Sequence, residues 1–298
     1  MDANPHFPTD LARLLSGLYP ASSPNLARLL GSGWNADAWR VPERGGDLVV
    51  RIPRRDWARG EIERQACLAA RLAARGIPAP REWALLRDPG GRVYAGVYRF
   101  VAGEPAPARG RAAGALAPLV ANLLERIHQF PASEAVACGA EQLDPWEGRW
   151  RPIFERHAAG LGPGTRAWVE RAAERLEALS LGAGAPALIH GDLQPAHLIL
   201  RADSSVAAVL DFSGPTVSDR AIDFGRLTQF WGARFAERVL QAYTLSVDGA
   251  FVERAHLYAA LEPLRTIALE AEMGTAVWTG WAKRKLAARA RARALPGG

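Results

Sequence analysis

The sequence predicts an α+β protein in two unequal parts, a small part built on antiparallel strands over residues 1–103 and a larger, mostly helical part over residues 104–298. Three observations carry that expectation. In the first third, short apolar runs alternate with glycine- and proline-containing turns. From Ala115 onward, apolar residues recur at spacings of three and four, the period of one helix face. Inside the helical part, two runs fit for strands, His197 to Arg201 and Val206 to Asp211, flank Ala202-Asp203-Ser204-Ser205, the small and polar residues a hairpin loop prefers.

In the amino-terminal part, Leu30-Gly31-Ser32-Gly33-Trp34-Asn35 precedes a strand at Ala38 to Val41, and Gly45-Gly46-Asp47 turns the chain into a second strand at Leu48 to Ile52. Gly31, Ser32 and Gly33 therefore sit at the front of a strand-turn-strand unit. Such a loop lets backbone amides approach phosphate oxygens, although an ordinary hairpin reads the same way. About twenty residues on stands Arg51, whose guanidinium grips phosphate oxygens in pairs and keeps its charge. Glu61 to Ala74 has a helical pattern with Ile62, Cys67, Leu68 and Leu72 on one stripe, stopping before Gly76-Ile77-Pro78. Strands at Trp83 to Leu86 and Val93 to Val101 flank the turn Asp88-Pro89-Gly90-Gly91.

The larger part reads as helices at Ala115 to Phe130, Arg166 to Leu179, Ile222 to Trp231, Ala233 to Tyr243, Phe251 to Glu272 and Thr275 to Ala292, with Pro263 expected to start, kink or split the fifth. Six of the ten tryptophans lie here: Trp146, Trp150, Trp168, Trp231, Trp278 and Trp281.

The chemistry concentrates in Leu188-Ile-His-Gly-Asp-Leu-Gln-Pro-Ala-His-Leu-Ile-Leu200 and the strand that ends at Asp211. If Arg201 pairs with Val206, His197 falls opposite Leu210, beside Asp211. Phosphoryl transfer needs a carboxylate to orient or deprotonate the acceptor hydroxyl, and ligands to hold a divalent cation on the nucleotide phosphates. Asp192, in an irregular loop, suits the first role. His197 and Asp211 suit the second.

At these residues the chain resembles the aminoglycoside and macrolide phosphotransferases, antibiotic kinases with a bilobal protein-kinase-like fold, and the resemblance covers nearly the whole length. The family pattern is His-Gly-Asp, then Asn five residues after the Asp, then a strand ending in a metal-binding Asp. His197 stands in place of that Asn, a variant of macrolide kinases and of aminoglycoside kinases acting at the 2'' hydroxyl. Val217-Ser218-Asp219-Arg220-Ala221-Ile222-Asp223-Phe224 is similar to the segment that braces the catalytic loop, with Arg220 where a Pro often stands.

The resemblance implies a small-molecule kinase using ATP or GTP, with a nucleotide-binding lobe at 1–103 and a catalytic and acceptor-binding lobe at 104–298. It implies Asp192 as the catalytic residue and His197 and Asp211 as metal ligands. Magnesium prefers oxygen donors and imidazole suits softer metals, so Mn2+ is the alternative to Mg2+. Arg51 takes the place of the family's phosphate-binding Lys. A Glu on the following helix is expected to pair with it; Glu61 or Glu63 is favoured, although the leucine spacing sets Gln65 there. Tyr98-Arg99-Phe100-Val101 looks like the hinge, where backbone groups of Arg99, Phe100 and Val101 would meet the nucleotide base.

Charge bears on the acceptor. Residues 1–103 carry 15 basic and 10 acidic groups and residues 104–298 carry 22 and 21, six of the basic ones in the tail from Lys283 to Arg293. A basic nucleotide part and an otherwise acidic acceptor part suit an anionic cosubstrate and a cationic acceptor rather than nucleic acid. Glu262, Glu270, Glu272 and Trp278 are the candidate amine-binding residues. A macrolide is favoured over an aminoglycoside because His197 and the aromatic carboxy-terminal half suit a large amphipathic molecule; the alternatives are an amino-alcohol or sugar kinase and a non-catalytic nucleotide-binding protein. No apolar run approaches a membrane span, and the acidic start Met1-Asp-Ala-Asn-Pro5 does not read as a signal peptide. Cys67 and Cys138 form no metal or redox motif. A monomer in a reducing cytoplasm is expected.

Overall fold

The computed structural model describes residues 6–144, 148, 150–180, 182–212 and 216–292. Trp146, Arg293 and the segment Met1–Pro5 lie outside the described residues. The chain divides into two compact units, one of residues 1–106, 137–140 and 196–215, the other of 107–136, 141–195 and 216–298.

The first unit carries helix α1 (Thr9–Leu18), then β1 (Arg28–Ser32), β2 (Ala36–Val41), β3 (Leu48–Pro53), helix α2 (Asp56–Ala74), β4 (Ala84–Arg87), β5 (Val93–Arg99) and the short β6 (Glu104–Pro105). Strands β1 to β5 form one antiparallel sheet in the order β1-β2-β3-β5-β4. Trp39, Val41, Leu48, Val50, Leu86, Ala95 and Val97 build its core with Leu11 and Leu15 of α1. The β4–β5 turn closes as its sequence requires, with Gly91 N donating to Asp88 O at 2.9 Å and Arg92 N to Asp88 Oδ1 at 3.0 Å.

The second unit holds α3 (Gly110–Ala115), α4 (Ala117–His128), α5 (Ala132–Ala137), β7 (Glu141–Gln142), α6 (Arg151–His157), α7 (Pro163–Ser180) and β8 (Ala187–Ile189). The hairpin of β9 (Leu198–Leu200) and β10 (Val206–Val209) belongs to the first unit, where β9 also pairs with β6. The second unit resumes with β11 (Thr216–Ser218), α8 (Ala221–Phe230), α9 (Ala233–Ala242), α10 (Phe251–Met273) and α11 (Thr279–Arg291). Strands β7 and β8 flank β11.

Helix α10 runs through Pro263 without interruption. Its packing partner α8 approaches so closely that a Cβ on Gly225 would lie 2.9 Å from Ala255 O and 3.0 Å from Tyr258 Cβ. Among the described residues no helix is long and apolar enough to cross a membrane.

Cys67 of α2 is joined to Cys138 in a disulfide. This pairing departs from the expectation of cysteines in no redox motif and in reducing surroundings. Their 71-residue separation hides the pairing, because only the folded first unit brings 137–140 to α2.

Candidate active site

In the first unit, Arg51 projects from β3 and donates from Nη1 to Gln65 Oε1 at 2.8 Å and to Asp211 Oδ1 at 3.2 Å. Burial disfavours its charge, but the Asp211 carboxylate together with Tyr98 and Glu61 outweighs that and holds its pKa above the ordinary value. Asp211 Oδ2 lies 3.7 Å from His197 Nε2. Asp211 thus brings together Arg51, 160 residues away in sequence, and His197 of its own hairpin. Asp211 also takes a left-handed backbone, φ 61°, a conformation side chains other than glycine's adopt at a cost and one that clusters at functional sites.

The hairpin register explains how His197 reaches Asp211. Leu210 N donates to His197 O at 2.7 Å, the pairing expected from the sequence. Toward the loop, however, Val206 pairs with Leu200 rather than Arg201, and the register slips by one between Val206 and Ala208. A bulge at Ala207 absorbs the difference.

Gln65, not Glu61 or Glu63, meets Arg51. Position 65 faces inward on α2 with Ile62, Leu68, Ala69 and Leu72, whereas Glu63 points out and pairs with Arg87 at 2.7 Å. Glu61 lies one turn earlier, where it accepts from Asn35 Nδ2 at 2.6 Å. Burial, reinforced by the Asp211 charge and only partly offset by Arg64, Arg51 and Asn35, pushes its carboxyl up to about 7. Gly31, Ser32 and Gly33 lie on exposed β1 and its turn, closed by Gly33 N donating to Ala36 O at 2.9 Å. At the expected hinge, Arg99 N donates to Arg81 O at 3.3 Å and Phe100 N to Asp47 O at 2.8 Å. Those two amides are therefore engaged within the unit and not held out for a base. The Arg99 side chain pairs with Glu43 and Glu82. Val101, half-buried, follows β5 outside any strand.

In the second unit, β8 delivers the loop His190-Gly191-Asp192. Gly191 turns at φ 73°, the region glycine enters without steric cost. The buried Asp223 of α8 fixes this loop: Oδ1 accepts from Gly191 N at 2.7 Å, and Oδ2 from His190 N at 3.0 Å, with His128 Nε2 at 3.1 Å. Burial alone would raise the Asp223 pKa, but His128, His190 and the Gly191 amide outweigh it and hold the carboxyl below its ordinary value. Asp219 caps Ala221 N and binds Arg254 Nε at 2.7 Å, while Arg220 reaches Tyr243 Oη and Ser246 O. Both carboxylates of the bracing segment thus do structural work around the loop that carries Asp192. Sequence reasoning missed Arg226 of α8, which contacts that loop directly: Nε donates to Gly191 O at 2.8 Å and Nη2 lies 3.4 Å from Asp192 Oδ1. The one available signal was a second charged residue, three positions after Asp223, in a helix whose neighbouring residues are apolar.

The expected amine-binding residues fare differently. Glu262 is buried and bound by Arg226 at 2.7 Å and Arg265 at 2.5 Å, so two guanidiniums already take its charge. Glu270 is buried at the start of α11, accepting from Trp278 N at 2.7 Å, Thr279 N at 2.5 Å and Thr279 Oγ1 at 2.7 Å. Such bonds satisfy the open amides of a helix N-terminus. Neither glutamate is presented to a ligand amine. Glu272 is exposed and 3.5 Å from Arg156, and Trp278 is also exposed. Trp150 and Trp168 are core residues.

The model of the APH phosphotransferase enzyme family matches residues 27–263. The chain belongs to that family. It is a small-molecule kinase. The GDP and kanamycin complex of APH(2")-IIia superposes with a TM-score of 0.82 at 18% identity, covering 96% of this chain and 99% of that one. The apoenzyme of macrolide 2'-phosphotransferase MphH from Brachybacterium faecium gives 0.72 at 22% identity, covering 93% and 98%. ADP-bound APH(2'')-Ib gives 0.73 at 18% identity, covering 93% and 96%. No curated protein matches the chain. These likenesses establish the α+β kinase-like fold, with its five-stranded antiparallel sheet followed by a largely helical part.

Proposed function

We propose that this phosphotransferase moves the terminal phosphate of GTP or ATP to a hydroxyl of an aminoglycoside or macrolide antibiotic, as a monomer. The observation that carries the reading is the meeting of Arg51, His197 and Asp211. A fixed cation beside two metal-ligating side chains has no role in a core, where buried charge is costly, and has one at a phosphate site. Arg51 would bind phosphate oxygens, with Gln65 holding its guanidinium. His197 and Asp211 fit a divalent cation. Among the described residues no three metal-binding side chains cluster, which suits a cation that keeps its other positions for nucleotide oxygens and water. Such a cation would supply neutralisation of phosphate charge. Asp192, on a loop pinned by Asp223, would accept the acceptor's hydroxyl proton.

The buried tryptophans and the sequestered Glu262 and Glu270 remove much of the sequence argument for a macrolide in particular. A screen of nucleoside diphosphate release over aminoglycosides, macrolides and amino alcohols, with GTP and ATP separately, chooses among acceptors. The Asp192→Asn variant tests the mechanism: turnover should vanish with nucleotide affinity nearly intact, since the amide keeps the shape but takes no proton. If the variant keeps most of its turnover, Asp192 is not the base.

A further inference from the structure

We propose that Arg226, aimed by Glu262, is a positioning residue for the Asp192 carboxylate. The inference rests on the reading of Asp192 as the base. Arg226 is buried in α8, and three contacts fix its guanidinium: Nε to Gly191 O at 2.8 Å, and Nη1 to Glu262 Oε1 at 2.7 Å and to Gln229 Oε1 at 2.9 Å. Nη2 is buried without a hydrogen-bond partner and stands 3.4 Å from Asp192 Oδ1. An arginine serving packing alone would be expected to have its buried donors met, because an unmet buried donor is costly. Here the unmet donor faces the base.

That geometry has a chemical purpose. A close two-point arginine–carboxylate pair would engage both oxygens of Asp192. The Arg226 contact, beyond hydrogen-bond geometry, orients Oδ1 by charge, and Gln194 Nε2 donates to Oδ2 at 3.3 Å. Glu262 completes the device. It sets the guanidinium's direction and tempers its charge, and Arg265 Nε at 2.5 Å holds Glu262 in turn. Two arginines and two carboxylates make the cluster neutral overall. Glu262, expected from the sequence to bind the acceptor's amine, acts instead through Arg226.

The test separates positioning from packing with Arg226→Gln, Glu262→Gln and the double variant. Thermal midpoint, GTP affinity and turnover are read on each. Turnover uses kanamycin or erythromycin, whichever is accepted, and acceptor-free GTP hydrolysis, in which water replaces the hydroxyl. Each single variant breaks the buried Arg226–Glu262 pair, Glu262→Gln leaving both Arg226 and Arg265 without their carboxylate, and should lose both stability and turnover. The double variant pairs two neutral amides at the Arg226–Glu262 contact but leaves Arg265 without its carboxylate, so its midpoint should recover only in part while turnover stays down on the order of 10- to 100-fold, the scale of a misplaced catalytic group. GTP affinity should be unchanged throughout. If the double variant regains turnover together with stability, Arg226 is a packing residue and the proposal fails. Should Arg226→Gln not fold, Glu262→Gln carries the test, since wild-type turnover per folded molecule overturns it. Turnover surviving in Asp192→Asn would instead overturn the parent reading.

Discussion

Replacing Asp223 with Asn should destabilise the protein more than its modest chemical change suggests. The carboxylate has two accepting oxygens, one for Gly191 N and one shared by His190 N and His128 Nε2. An amide offers one oxygen and one NH2 group, so in either orientation a donor is turned against a donor. With the oxygen placed toward His190 and His128, Gly191 N is orphaned, at about 1–3 kcal/mol, and the remaining bonds lose about 1 kcal/mol of charge assistance. The expected loss is about 3 kcal/mol, a large share of the roughly 5–15 kcal/mol that holds a typical domain together. Calorimetry at neutral pH should show the midpoint falling by roughly 6–12 °C. The sign of the pH dependence is a second check. The folded pKa of Asp223 lies below the ordinary carboxylate value of 3.8, so its stabilisation is present above that value and is lost as pH falls through the folded pKa. The gap between wild type and Asp223→Asn should therefore close in acid. A variant within about 1 kcal/mol of wild type at neutral pH, or a gap that widens on acidification, would refute the account of the loop anchor.

Three further outcomes are expected. Gly225→Ala should lower stability by about 1–2 kcal/mol in a urea titration, because overpacking against the α10 backbone exceeds the roughly 1 kcal/mol helix-propensity gain of alanine; a stabilised variant would contradict the close α8–α10 approach. Glu61 has a folded pKa of about 7 against an ordinary value of 4.5, so its stabilisation is complete below the lower value and is lost as pH rises through the higher one. Glu61→Gln should therefore flatten the stability profile across that window in the nucleotide-free protein, by about 1–2 kcal/mol after discounting for solvent screening, and an unchanged profile would mean that Glu61 ionises normally. Cys67→Ser, or reduction with dithiothreitol, should cost about 4 kcal/mol from the 71-residue loop the disulfide closes; equal melting with and without reductant would show that the bond does not form.

Much of the architecture was legible because it rests on local rules. The Gly45-Gly46-Asp47 and Asp88–Gly91 turns, the inward stripe of α2 and the long helices near Phe251 and Ala233 all follow from periodicity and turn chemistry, and all appear where expected within a few residues. What was not legible depends on partners remote in sequence. Helix α1 becomes part of the sheet core through Leu11 and Leu15, and the short strands β6, β7 and β11 exist only by pairing across the chain. The site divides in the same way. His197 beside Asp211 follows from hairpin arithmetic, whereas Arg226 on Asp192 and Gln65 on Arg51 are tertiary contacts. Counting charges placed Glu262 and Glu270 toward an acceptor, but a carboxylate count cannot tell which glutamates are already bound by arginine or by a helix terminus.

The bulge at Ala207 separates the two ends of the β9–β10 hairpin. At one end, the Leu210 amide on the His197 carbonyl holds that histidine beside Asp211; at the other, Arg201 N donates to Ser205 O around an exposed turn. An unpaired residue between them takes up a change of register before it reaches the paired end. The turn at 202–205 is thus insulated from the chemistry, and its length is open to variation in a way that the segment from 190 to 197 is not. A reporter peptide or an affinity handle inserted after Asp203 would lengthen the loop on its solvent side, where added residues cost little closure entropy. The chain contains, a few residues from its most constrained atoms, a place where it can grow.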